Sequence, residues 1–226
     1  MTWPTQLAER WPEMWPELWL GTLDTVYMVL WAAVMGVVFG LPIGVLLVTT
    51  ERGGLTAAPV LRTVLGAIVN IGRSLPFIVL MVAVLSLTRL ITGTTLGPTA
   101  AIVPLSIGAI PFFARLVETS LREVDREVVE AAHAMGTGKL AIVGKVLLPE
   151  ALPGLIAGLV MTVVTLVSYS AMAGAIGGGG LGDIAIREGY QGFDDYYLWA
   201  TVICLVAIVQ LAQTIGDLLV RRLTHR

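Results

Sequence analysis

Long uncharged runs divide this chain. The first is Val26 to Thr50, the second is Thr63 to Thr88 with Arg73 as its one interruption, and the third is Leu90 to Ala114. The fourth extends from Ala151 to Gly182 and the fifth from Tyr196 to Gly216. A helix that crosses a bilayer needs roughly 20 mostly apolar residues. The pattern therefore predicts an all-α, polytopic membrane protein of about five transmembrane helices. The fourth run is longer than one crossing requires, and its end, Gly174 to Gly182, is rich in glycine. It predicts a helix to about Ala173, then irregular backbone that lines a cavity or is covered by protein. Pro42, Pro76, Pro104 and Pro111 fall within runs and predict kinks or breaks. The pairs Gly36/Gly40, Gly40/Gly44 and Gly154/Gly158 predict close helix packing. The expected organisation is an external or interfacial segment over 1–20 and a transmembrane domain over 21–226, with a polar loop over 115–150.

Composition agrees with this picture. Of 226 residues, 56% are hydrophobic and only 13% charged, against about 25% charged in soluble domains. The net charge of −2 offers no basic face for nucleic acid. The N-terminal stretch does not read as a signal peptide, because Met1 to Leu18 carries Glu9, Glu13, Glu17 and several prolines. Leu7, Trp11, Trp15 and Trp19, four residues apart, give that stretch one aromatic face, which reads as an interfacial anchor. Lysine and arginine set the orientation. With the N-terminus outside, Arg52, Arg62, Arg115, Arg122, Arg126, Lys139, Lys145, Arg221, Arg222 and Arg226 are cytoplasmic, against Arg10, Arg89 and Arg187 outside.

The polar loop is the informative segment. Leu116 to Ala134 mixes apolar and charged positions at helical spacing, which predicts one amphipathic helix. Gly136 and Gly138 then break it, and Lys139 to Leu147 predicts a second short helix before Pro149 and Pro153. Helix, glycine turn and helix make a docking knob for a soluble partner. A merely solvated loop has the same composition.

The spacing within the loop separates the two. Glu130-Ala131-Ala132, three residues, Gly136, nine residues, Val146, one residue and Leu148-Pro149 resembles the EAA motif of ABC importer permeases, with valine at the isoleucine position. The resemblance implies a coupling helix that sits in a cleft of an ATPase subunit, with Glu130 accepting hydrogen bonds, the two alanines allowing close approach and Gly136 making the turn. Asn70 to Phe77, Ala101 to Leu105, Lys145 to Gly154, Tyr169 to Met172 and Gly177 to Gly182 are similar to the permease family of bacterial D- and L-methionine importers, from about Val60 to the C-terminus. That resemblance implies a bacterial inner-membrane protein that carries methionine. It also implies a second copy of the chain, two ATPase subunits and an external substrate-binding protein as partners.

Gly177, Gly179 and Gly182 satisfy G-x-G-x-x-G, but a membrane helix precedes them where a dinucleotide site needs a strand. The chain has no P-loop motif, so ATP chemistry is expected in another subunit and no cofactor in this one. His133 and His225 are far apart and read as solvated. Arg73 has two open readings: contact with a substrate carboxylate, or a helix end from which the side chain snorkels. Met172, with Tyr169 and Ser170, is the pathway or gate candidate, since methionine packs flexibly before a glycine break. A lipid-facing or core methionine is the alternative. A secondary transporter or channel would use carboxylates in the spans, and a membrane enzyme would need convergent nucleophile, base or metal ligands. The runs hold neither set.

Overall fold

The computed structural model describes residues 3–224, with side chains from Glu9 to Leu223. His225, Arg226 and the first two residues of the expected N-terminal segment lie outside that range, as does the side chain of Leu7. The helices are α1 (Trp3–Thr49), α2 (Pro59–Ser74), α3 (Phe77–Ala83), α4 (Leu85–Thr92), α5 (Pro98–Arg122), α6 (Arg126–Ala134), α7 (Lys139–Ile142), α8 (Leu148–Glu150), α9 (Leu152–Gly174), α10 (Gly180–Ile184) and α11 (Asp195–Thr224). Two π-helical turns, Val143–Leu147 and Ala185–Gln191, interrupt the series, and there is no strand among the described residues.

Four of these helices are long and apolar enough to cross a membrane, and the bent pair α2–α3 supplies a fifth crossing if taken as one span. Residues 3–20 lead into the first span without a break, because α1 runs for 47 residues. At 1.5 Å per residue that is about 70 Å, more than twice the hydrocarbon thickness. Packing holds it together through Pro12 and Pro16: Met14 and Leu18 are fully buried in a cluster with Leu181, Ile184 and Ala200. Two expectations are corrected. The second run is not a straight helix, since the chain turns by 103° between Ser74 and Phe77. Pro76 cannot supply the backbone N–H, and Leu75 before it is extended. The third crossing starts at Pro98, not Leu90, because α4 ends at Gly93 and proline occupies the first position of α5. Pro42, Pro104 and Pro111 sit inside unbroken helices.

The chain forms two compact units. The first comprises 1–32, 76–106 and 163–212. In it the glycine-rich stretch after α9 packs backbone to backbone. A Cβ on Gly174 would lie 2.2 Å from the Asp183 nitrogen, and one on Gly182 would lie 2.5 Å from Ala171. The Thr25 hydroxyl donates to the Gly21 carbonyl and accepts from the Leu181 N–H, both at 2.9 Å. Arg10 grips Asp194 through two hydrogen bonds of 3.1 and 2.7 Å and lies over the Tyr196 ring. Asp194 also caps α11 by accepting from the Tyr196 N–H at 3.0 Å. Trp11, Trp15 and Trp19 form a ladder of tilted rings 5.7 and 5.8 Å apart.

The second unit comprises 33–75, 107–162 and 213–226. Its core is Phe113, Val117, Leu121, Leu147, Ala151 and Leu155. The predicted small-residue pairs pack here. Gly36, Gly40 and Gly44 lie against Ala109, Ile110 and Val117, while Gly154 and Gly158 lie against Ser120 and Leu116. Within a bilayer lipid is as apolar as leucine, so such close backbone approach, not exclusion of water, holds the helices together.

Candidate coupling loop and pathway residues

The second unit presents the loop. The expected helix over 116–134 is in fact two, because α5 ends at Arg122 and α6 begins at Arg126. Asp125 causes the restart: its carboxylate accepts the Glu127 N–H at 2.9 Å, an N-cap that competes with helix continuation. After α6, Gly136 takes φ +79°, a left-handed conformation, and its N–H donates to the His133 carbonyl at 3.0 Å. Gly138 then adopts an ordinary extended conformation and leads into α7. The second expected helix, 139–147, is divided into α7 and the first π turn.

Of the motif residues, Glu130, Ala131, Gly136 and Pro149 are exposed, while Leu148 is half-buried and packs on the unit core. Ala132 departs from the expectation of two partner-facing alanines: it is 5% exposed and faces its own chain. Adjacent residues on a helix point about 100° apart, so one alanine can serve the partner and the other the fold. Two residues that the motif does not name form the tip. Met135 and Leu140, on either side of the glycine turn, are 79% and 89% exposed. Two such apolar side chains flanking the turn of a polar loop make it a candidate docking surface, and their place beside Gly136 was visible in the sequence.

The first unit holds the other candidates. Tyr169, half-buried on α9, stacks flat on Phe77 with centroids 4.4 Å apart and 6° between planes. Met172 is exposed one turn further on, two residues before α9 ends. Ser170 is fully buried and donates to the Val167 carbonyl at 2.8 Å, so its hydroxyl serves its own helix. Tyr169 and Met172 are three apart and share a face, which Ser170 does not. Arg73, in the second unit, is exposed in the last turn of α2, one residue before that helix stops, and has no ion-pair partner among the described residues. A cation there complements the helix dipole. His133 is exposed on α6.

A helix-turn-helix loop with an apolar tip, beside helices long and apolar enough to cross a membrane, fits the class of transport subunits that dock a soluble partner. Residues 40–226 match the family of binding-protein-dependent transport system inner membrane components, and the chain belongs to that family as a multi-pass membrane protein. It is 56% identical over 205 residues to the probable D-methionine transport system permease protein MetI of Vibrio cholerae, covering 91% of each chain. It is 49% identical to the corresponding protein of Pasteurella multocida, over 95% of this chain and 99% of that one. Its fold is similar to the inward-facing MetNI methionine ABC transporter, with TM-score 0.91, 45% identity and 99% coverage of both chains.

Proposed function

We propose that this chain is the membrane permease subunit of an ABC importer for D- and L-methionine. Two copies form the pathway, an ATPase subunit docks on each coupling loop, and an external binding protein delivers the substrate. ATP is hydrolysed in the ATPase and not in this chain, which holds no cofactor of its own. The observation that carries the reading is the exposed α6–Gly136–α7 knob with Met135 and Leu140 bare at its tip. The 45% identity to a methionine ABC transporter along nearly the whole chain supports the substrate.

The test is transport by proteoliposomes that contain this chain, its ATPase and its binding protein. Labelled methionine should enter only with ATP, and unlabelled D- and L-methionine should both compete. ATP-driven uptake of another amino acid with no competition by methionine would remove the substrate assignment. Absence of a stoichiometric ATPase from the purified complex would remove the permease reading.

The orientation belongs to the same reading, with the N-terminus outside and the C-terminus cytoplasmic in the inner membrane. In a Cys204→Ser background, cysteine at Tyr190 should label from outside, and cysteine at Leu140 only after permeabilisation. Both positions are well exposed. External labelling at position 140 would reverse the topology.

A further inference from the structure

One charge cluster in the second unit, built around a single buried carboxylate, has no role in the reading above. Glu118 on α5 is 3% exposed, yet both its oxygens are engaged. Arg115 donates to Oε2 at 2.7 Å, and Arg122 donates to Oε1 from Nε at 3.2 Å and from Nη2 at 2.9 Å. Arg122 also reaches Glu51 at 3.1 Å, and Glu51 reaches Arg62 at 3.2 Å. The chain Arg115–Glu118–Arg122–Glu51–Arg62 thus joins α5, the turn after α1 and the first turn of α2. That turn is stiff in its own right. Its backbone closes through Gly54 to Glu51, Thr56 to Thr49 and Ala58 to Thr50, at 2.9, 2.9 and 3.0 Å.

The placement bears on the coupling loop. Arg122 is the last residue of α5, and only Glu123, Val124 and Asp125 separate it from α6. Beside this joint lies a cavity of about 580 Å³, lined by Glu51 and Arg122 and by Glu130, His133 and Lys139 of the loop. Packing braces the loop on one side, where Val124, Val129 and Val143 rest on the unit core, and the cavity leaves the other side open. The charge chain ties down the element from which the loop hangs.

We infer that Glu118 is a positioning residue for energy coupling. Through Arg122 and Glu51 it locks the end of α5 to the turn after α1. A displacement of α6, handed to the end of α5 through Val124 and Val129 packed on the unit core, then passes into the membrane helices and is not absorbed by the end of α5 moving alone. An exposed ion pair would hold such a joint weakly. A network whose central carboxylate is withdrawn from water holds it more firmly. The inference rests on the permease reading.

The experiment uses the complete complex with Glu118→Gln and, separately, Glu51→Gln. Glutamine keeps the shape of Glu118 and one acceptor, and Arg115 and Arg122 are exposed enough to be resolvated. The complex should therefore assemble at wild-type stoichiometry. Uptake per ATP hydrolysed should fall roughly fivefold or more in Glu118→Gln. Glu51→Gln should move it in the same direction, and the double variant should add little, since both carboxylates belong to one chain. A wild-type coupling ratio in both single variants overturns the inference. So does a loss of uptake that merely tracks the loss of assembled complex. If the wild-type complex takes up no solute, the permease reading itself fails and takes this inference with it.

Discussion

The Tyr169 ring lies flat on the Phe77 ring, 4.4 Å away and 6° from parallel. Phe77 is the first residue of α3, immediately after Pro76 ends the bend that α2 begins. The stack therefore holds the restart of that broken crossing against α9. Aromatic pairs contribute about 0.5–1.5 kcal/mol beyond their buried area. A double-mutant cycle of Phe77→Leu and Tyr169→Leu should recover a coupling of about that size in thermal stability in detergent. Tyr169→Phe should be silent, and strict additivity of the leucine variants would show that the rings do not support each other.

Met172 carries the gate proposal. Its side chain is exposed at the end of α9, where two copies could seal a path without fixed charge. Met172→Cys should form a disulfide between copies in one transport state, provided the Cα atoms come within about 7 Å. Met172→Ala should raise basal ATPase activity with assembly intact. Ready labelling from the lipid phase in every state, with no crosslink, places the residue outside the gate.

Gly136 and Gly138 should respond differently to the same methyl group. Neither has any atom within 4 Å of an added Cβ, so crowding is absent at both. Only Gly136 has a left-handed backbone, at φ +79°, which costs an ordinary residue about 1–2 kcal/mol. Gly136→Ala should weaken ATPase co-purification, while Gly138→Ala should leave it unchanged. Equal effects of the two would remove the turn geometry from the docking argument.

Asp194 links acidity to stability. The hydrogen bond from Arg10 is the main cause that holds its carboxyl below the usual carboxylate range, with the Tyr196 N–H assisting. A lowered folded pKa adds stability above the unfolded value of about 3.9, and that stability disappears as pH falls through the folded value. Asp194→Asn keeps a capping oxygen but loses the charge. The wild-type advantage over this variant should be about 1 kcal/mol or less at pH 7 for so accessible a pair. It should vanish on the acid side of pH 4. A pH-independent difference in thermal midpoint would remove the ion pair as its cause.

The number of crossings was legible because each contains a long apolar run, interrupted only at Arg73, and the turn at Gly136 because the motif spacing fixes it. The length of α1 was not. Pro12 and Pro16 argue locally against a helix, and the burial of Met14 and Leu18 against residues some 165 positions away outweighs them. The restart of α6 was within reach, since Asp125 is an ordinary N-cap residue followed two positions later by Glu127. Ser170 illustrates the reverse. Tyr169 beside it packs on Phe77 and Met172 is exposed, yet one residue of helical rotation turns Ser170 inward to its own backbone. Glu118 was hidden among the charges of an apparent loop, because sequence spacing does not reveal that Glu51 lies beside Arg122.

The π turn at Val143–Leu147 stands between α7 and the start of the fourth crossing. A π turn holds one residue more than the α-helical path it replaces, and each residue advances an α-helix by about 100°. The compass bearing of the coupling tip is therefore stored as a residue count. Deleting one residue from this stretch would let it anneal into plain α-helix and swing Met135 and Leu140 about a quarter turn around the axis. Every side chain of the knob would survive such a deletion, but the knob would point at the wrong place.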